Sequence, residues 1–366
     1  MLLPAHGANA RALYEAMQID MPNDVIDVSE NVNATGIPKA IQAIWPNLLN
    51  QLASYPNELA EPLRSQLAQH HQLQCEQVLV TNGAAEGLMV LAQHFHGQDI
   101  LVLEPSFSEY KRTLSQQNCT VHTLIAEDII YYKFDMDKLN SQLEKVTACY
   151  ICNPNNPTGV VLEKQWIHHL VAAHPQCLFV IDEAFMDWTD EAESVIPLLT
   201  SYSNLLVVRS LTKMYALAGV RIGYVLGQQV EKLRPYLPHW NVSSIALALG
   251  GECIKQQEFV KGSVECSSKL LDKMKRYFRS IQCPYSNSAA NFLLFKLPEQ
   301  YDADHFFMYL LKRGIVLRHT KNYAGLNGQW FRIAVKTEEI WAHCQKEMDH
   351  YVKNYSLLSP LSNELE

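Results

Sequence analysis

Long apolar runs are missing from this chain: none approaches the ~20 uninterrupted residues a membrane-spanning helix needs, which argues against a membrane protein. A surplus of positive charge is missing too. The 30 Lys and Arg stand against 38 Asp and Glu, for a formal net charge of −8. That disfavours general binding to nucleic acid or an anionic membrane surface and leaves room only for a local basic site. The start, Met1 to His6, has neither the basic residues nor the apolar core of a secretory signal. Nine cysteines, an odd number, are scattered without a disulfide framework, so a reducing cytoplasm is expected. Cys149 and Cys152 form a C-x-x-C spacing, but no second pair exists and the run reads as a strand. Buried strand cysteines are expected there, with no metal site. There is also no internal repeat and no low-complexity tract.

What remains is the composition of an ordinary soluble globular protein, with 48% hydrophobic and 19% charged residues. At 366 residues the chain is long for one core, which predicts a large domain and a smaller one. From about residue 58 to 235, short apolar runs alternate with helix-length amphipathic segments. Strands are expected at Val78–Thr81, Ile100–Leu103, Val121–Ile125, Thr147–Cys152, Leu178–Ile181, Leu205–Arg209 and Ile222–Leu226. Helices are expected between several of them, as at Ala84–His96, Phe107–Asn118 and Lys164–Ala173. Near-continuous apolar strands separated by helices imply an α/β fold with a mainly parallel sheet covered on both faces. Beyond residue 262 the pattern changes to helix Val264–Ser280, a strand near Phe292–Leu297, helix Ala303–Arg313, short strands Ile315–Arg318 and Trp330–Val335, and helix Thr337–Tyr351. The expected organisation is an irregular N-terminal arm over 1–40, a large α/β domain over 41–240, a smaller α+β domain over 241–355 and a frayed tail over 356–366.

Four short motifs sit at the ends of successive strands. Thr81-Asn82-Gly83-Ala84-Ala85-Glu86 joins a strand to a helix, where small residues and free backbone N–H groups can cradle an anion. Asn153-Pro154-Asn155-Asn156-Pro157-Thr158-Gly159 is either a plain turn or a rigid loop that aims asparagine side chains at a ligand, and so many special residues in seven positions favour the loop. Asp182 ends the run Leu178-Phe179-Val180-Ile181, where parallel α/β sheets hold ligands; it could equally cap a helix. Ser210-Leu211-Thr212-Lys213 follows the run Leu205 to Val208, with Arg221 eight residues beyond the lysine. A lysine there can form a Schiff base with a carbonyl, and Ser, Thr and Arg can hold a phosphate. Pyridoxal 5′-phosphate (PLP) carries both groups on one ring, and Asp182 could pair with its ring nitrogen.

With these motifs in this order, the chain resembles the fold-type I PLP enzymes, the aspartate aminotransferase superfamily, over nearly its whole length. It is most similar to histidinol-phosphate aminotransferases and threonine-phosphate decarboxylases. The resemblance implies a seven-stranded, mainly parallel sheet flanked by helices, with a smaller α+β C-terminal domain. It implies Lys213 as the Schiff-base lysine, Asp182 at the pyridine nitrogen, Asn156 at the ring 3-hydroxyl and Phe107 stacked on the ring. It places Gly83, Ala84, Ala85, Ser210, Thr212 and Arg221 around the phosphate. Tyr55, in Ser54-Tyr55-Pro56-Asn57, matches a tyrosine that reaches the phosphate from a second subunit, so a homodimer with shared sites is implied. One position departs from many aminotransferases: Phe185 stands where a tyrosine would also bond the 3-hydroxyl, and a phenyl ring cannot.

Three further stretches resemble the decarboxylases: His6-Gly7-Ala8-Asn9; Ser29 to Pro38, which contains Asn33; and Arg318 to Leu326 followed by Trp330 to Val335. Arg318 and Arg332 are the expected anion binders of a phosphorylated amino-acid or amino-alcohol substrate, because arginine grips phosphate and carboxylate bidentately. His6, Asn33 and Asn156 are further substrate-side candidates. The activity implied is decarboxylation of L-threonine O-3-phosphate to (R)-1-amino-2-propanol O-phosphate, a cobalamin side-chain precursor; the alternative is histidinol-phosphate or other class I/II amino transfer. A PLP-binding transcription regulator is disfavoured, because the phosphate turn arrives by residue 83 and the first 40 residues show no paired helices.

Overall fold

A computed structural model describes residues 3–4 and 6–355, so the expected tail at 356–366 lies outside the described residues. The central sheet has seven strands in the spatial order Val78–Thr81, Gly223–Leu226, Leu205–Ser210, Leu178–Asp182, Ala148–Cys152, Asp99–Glu104 and Thr120–Ile125. Every pairing is parallel except the two made by Gly223–Leu226, which runs antiparallel to both neighbours. Five strands are buried at every position, as their unbroken apolar runs require, and only the edge strand Thr120–Ile125 is largely uncovered. Cys149 and Cys152 are free thiols inside this sheet.

The register aligns the chemistry. Thr81 lies opposite Gly223 and Gly223 opposite Ser210, while Asp182 lies opposite Cys152 on one side and Val208 on the other. Residues far apart in sequence therefore arrive side by side at one edge. Gly223 is required there: a Cβ on it would stand 2.5 Å from the Ala84 nitrogen and 2.8 Å from the Arg209 carbonyl oxygen.

A second core is built on the three-stranded antiparallel sheet Arg318–His319, Trp330–Ala334, Phe292–Lys296, packed by helices Gln257–Ser280, Ala303–Lys312 and Glu338–Asn354. The apolar clusters divide the chain differently from a boundary at residue 241. Helix Ser244–Cys253 puts Ala246, Leu247, Leu249 and Cys253 into the large core, and C-terminal to it the buried residues of the smaller core begin at Leu270. The segment expected as one strand, Ile315–Arg318, is two. Ile315–Val316 pairs in parallel with Ile26–Asp27, and Arg318–His319 pairs with Trp330–Ala334.

The N-terminal arm is more ordered than expected. Helix Ala10–Met17, capped by the Asn9 side chain, buries Leu13 and Tyr14 in the smaller core, and the Tyr14 hydroxyl donates to the Leu311 carbonyl at 2.6 Å. Among the described residues no helix is long and apolar enough to cross a membrane, and no cluster of side chains could hold a metal ion.

Candidate active site

At the carboxyl ends of the parallel strands, between the two cores, lies a cavity of ≈ 590 Å³. Its size is that of a small-molecule site. The arm, the large sheet and the smaller sheet all contribute walls.

One end is an anion cradle. The strand Val78–Thr81 stops, Asn82 turns, and helix Gly83–His94 begins with Ala84 and Ala85 on the cavity wall. The first turn of a twelve-residue helix presents N–H groups with no intrahelical acceptor. Across from it the Ser210 and Thr212 hydroxyls lie 2.8 Å apart. Arg221 completes the cradle by passing close to Gly83: a Cβ there would meet its Nη2 at 2.7 Å, and Gly83 has a φ of +75°. Arg221 is itself held in the left-handed region at φ 59°, and its Nη1 donates to the Ala218 carbonyl at 3.2 Å.

The middle of the cavity holds an aromatic face and a buried acid. Phe107 stands edge-on to Tyr110 at 5.8 Å between centroids. The Tyr110 hydroxyl donates to Asp182 Oδ2 at 2.7 Å, and the Ala184 N–H donates to Oδ1 at 3.0 Å. Burial pushes the Asp182 carboxyl above the ordinary carboxylate range, while the two hydrogen bonds and the charge on Lys213 pull the other way. Such a carboxylate suits a protonated ring nitrogen. Asn156 Oδ1 accepts from Arg332 Nη1 and from the Tyr323 hydroxyl, which leaves the amide nitrogen as its donor. Phe185 lines the cavity and packs edge-to-face on Phe292 at 5.0 Å, offering no polar atom.

Lys213 lies among these groups. Burial, then the charges of Arg332 and Arg221, lower its pKa from 10.5 to about 8, against the opposing pull of Glu30 and Asp182. The amine is thereby brought near the range in which it is a free nucleophile. Arg332 is buried, with Nη2 donating to the Ser29 carbonyl at 2.6 Å. Its Nε is buried and has no partner among the described residues. Arg318 Nη2 donates to Asn322 Oδ1 at 2.8 Å, and its guanidinium lies 5.1 Å from the Tyr323 ring centroid.

The structure thus brings together Lys213, Asp182, Asn156, Phe107, Ala84, Ala85, Ser210, Thr212, Arg221, Arg318, Arg332 and His6. Two expected residues are elsewhere. Asn33 does not line the cavity. Its amide donates to the Met214 carbonyl at 2.8 Å and to Ser263 Oγ at 3.0 Å, and its oxygen accepts from Thr35, so the side chain is fully used in pinning the arm to the lysine loop. Tyr55 is 80% exposed and lies on Trp240, 4.6 Å between centroids, outside this chain's own cavity. Tyr110, Tyr323, Glu30, Glu109 and Arg112 also line the cavity and were not singled out from the sequence. Tyr110 had a signal, being one helical turn from Phe107.

A cradle for one phosphate, an aromatic face, a buried acid for a ring nitrogen and an amine of lowered pKa for a carbonyl together fit PLP. The chain matches the family model of the aminotransferases of class I and II over residues 23–345. It is 27% identical over 343 residues to a threonine-phosphate decarboxylase of Salmonella typhimurium, covering 91% of this chain and 92% of that protein. It is 28% identical over 339 residues to a histidinol-phosphate aminotransferase of Bacillus cytotoxicus, covering 90% of each. The solved histidinol-phosphate aminotransferase of Clostridium acetobutylicum superposes with a TM-score of 0.84 at 25% identity, over 89% of this chain and 99% of that one. With sequence, fold and donor set in agreement, this protein belongs to the class I and II aminotransferase family, and its cofactor is pyridoxal 5′-phosphate.

Proposed function

We propose that the protein decarboxylates L-threonine O-3-phosphate to (R)-1-amino-2-propanol O-phosphate, as a cytoplasmic homodimer. One observation carries this reading. The three stretches that resemble threonine-phosphate decarboxylases all reach a single cavity: His6, Gly7 and Ala8 from the first, Ser29 to Val32 from the second, and Arg318, Tyr323 and Arg332 from the third.

Bound PLP draws electrons from whichever bond to the substrate Cα stands perpendicular to its ring, so the chain's task is orientation. Arg332 is suited to hold the substrate carboxylate, since its orphaned Nε needs an acceptor and its two other nitrogens are fixed by Asn156 and Ser29. Lys213 Nζ, with a pKa of about 8, can hold a proton near neutral pH and return it to Cα after CO2 leaves. Dimer formation is supported by the exposed apolar side chains Trp45, Leu49, Leu52, Tyr55 and Trp240. In a dimer Tyr55 would serve the partner's phosphate cradle, as the resemblance implies.

The second reading is amino transfer from histidinol phosphate, favoured by similarity to the Bacillus cytotoxicus enzyme as high as that to the decarboxylase. Incubation with phosphothreonine and no keto-acid acceptor separates the two. Release of CO2 is expected; its absence, together with amino transfer from histidinol phosphate to 2-oxoglutarate, overturns the proposal.

A further inference from the structure

Helix Glu109–Gln116 opens with a carboxylate that faces an imidazole and a guanidinium. Glu109 Oε1 lies 2.7 Å from His6 Nε2 of the arm. The same oxygen accepts from Arg112 Nε at 2.8 Å, and Oε2 accepts from both Nε and Nη2 of that arginine. All three side chains line the cavity, but their exposures differ: 11% for Glu109 against 47% for His6 and 52% for Arg112. A nearly buried acid therefore holds a half-exposed imidazole and a half-exposed guanidinium side by side at the mouth. Arg112 uses Nε and Nη2 on Glu109, and Nη1 has no protein partner among the described residues.

The arm reaches this point from the other core. The Ala8 N–H donates to Ser29 Oγ at 3.0 Å, and His319 Nε2 lies 3.0 Å from the Pro4 carbonyl oxygen. From this stretch His6 crosses to the large domain, with its ring 5.6 Å from Phe107. Arg318 lines the same cavity. The mouth thus carries guanidinium groups of its own, apart from the Ser210–Thr212–Arg221 cradle and from Arg332 beside Asn156.

We propose that Glu109 is a positioning residue that clasps His6 and Arg112 over the cavity mouth, where Arg112 binds the anionic end of the substrate remote from the reacting carbon, a phosphate monoester. The inference rests on the reading that the substrate is phosphorylated. Arginine suits this task because its planar donors match phosphate oxygens, and a fixed carboxylate removes the rotamer freedom a half-exposed arginine would otherwise lose on binding. Glu109 touches no substrate atom; it acts through its two partners.

The test compares kcat/KM for phosphothreonine with that for threonine, on the holoenzyme and on Arg112→Gln, Arg112→Lys and Glu109→Ala. Loss of a charge-assisted hydrogen bond corresponds to about tenfold or more. The phospho-to-dephospho ratio is therefore expected to fall ~10-fold in Arg112→Gln and Glu109→Ala through KM, with kcat less affected and Arg112→Lys recovering part of the loss. Competitive inhibition by inorganic phosphate should weaken in parallel. If both substrates decline together, or the ratio and the phosphate inhibition are unchanged, the subsite is overturned. The ratio of histidinol phosphate to histidinol gives the same test should the reaction prove to be amino transfer. An enzyme that prefers neither phosphorylated substrate overturns the subsite and the functional reading together, whereas a phosphate preference untouched by these substitutions overturns the subsite alone.

Discussion

Tyr110 donates its hydroxyl to Asp182 across 2.7 Å, joining the first turn of one helix to the end of a central strand. Burial alone drives the Asp182 carboxyl toward its neutral form, and this is the first of the contacts that keep it ionised. Tyr110→Phe keeps the ring and removes the donor. The carboxyl should shift further up, pair less well with the cofactor's ring nitrogen, and slow the chemical step. A fall of ~10-fold in kcat is expected for a lost bond to a charged group. The absorbance of the bound cofactor, followed against pH, should shift with it; an unchanged spectrum and kcat would show that Asp182 does not depend on Tyr110.

Gly83 opens the turn proposed to hold the cofactor's phosphate and meets two constraints at once, a φ of +75° and the approach of Arg221. Gly83→Ala should strain the backbone by about 1–2 kcal/mol and displace the guanidinium as well. Gly97 is a control, since its φ is +73° but nothing lies within 4 Å of its added Cβ. PLP titration of the apoenzymes should show weaker binding, by ~10-fold or more, for Gly83→Ala and near-native binding for Gly97→Ala. Equal losses in both would mean that backbone strain, and not the cradle, is responsible.

The contrast between Lys213 and Glu109 shows what was legible in the sequence. The central strands could be read because they are buried on both faces and so consist of apolar runs; the residues proposed to hold PLP sit in contiguous motifs at the ends of those runs. His6 and Glu109 are 103 residues apart, and no local pattern announces that an arm will cross a cavity to meet a helix. Asn33 stands in a motif that suggested a ligand, yet its hydrogen bonds go to Met214 and Ser263, partners 181 and 230 residues away. The arm helix is not legible in the sequence because Ala10–Met17 has only eight residues and gains its stability from tertiary burial of Leu13 and Tyr14. The break at Leu317 is not legible for a related reason: two short strands of one continuous segment pair with different partners, and pairing is not a property of the segment.

The lowered pKa of Lys213 has a stability signature in the apoenzyme. Its folded value of about 8 lies below the ordinary 10.5, so the unfolded chain binds the extra proton between these limits. Stability should therefore rise with pH through that window, and the penalty for a buried ammonium is fully present below about 8. Lys213→Met removes this contribution, and its denaturation midpoint should rise less between pH 8 and 10 than that of the wild type. Independently, the reaction of Lys213 with an amine-acylating reagent should titrate near 8 and not near 10.5. Identical slopes for the two proteins, with titration at the ordinary value, would refute the shift.

Behind the cavity, Arg209 and Glu183 tether the strand ends that carry Ser210 and Asp182. Arg209 Nε donates to Glu183 Oε2 at 2.9 Å, Nη1 to Asp187 Oδ1 at 3.1 Å, and Nη2 to Ser194 Oγ at 3.1 Å. Glu183 also accepts from Ser194 Oγ and from the Val195 N–H, each at 2.8 Å. The pair is almost fully enclosed, with side chains 4% and 0% exposed. Glu183→Ala leaves a buried guanidinium with only its partly exposed partners, and Arg209→Met leaves a buried carboxylate facing Asp187. Each should destabilise the protein by about 3–5 kcal/mol, the usual consequence of removing one member of a buried pair. Replacing both at once should cost well below the sum, because neither charge is then stranded. Denaturant midpoints of the four proteins form the cycle. Because the tether lies one residue from Asp182 and one from Ser210, the single variants should also bind PLP more weakly than the double variant. Additive losses, with cofactor affinity unchanged throughout, would mean that the two charges act separately and that the strand ends are held by the sheet alone.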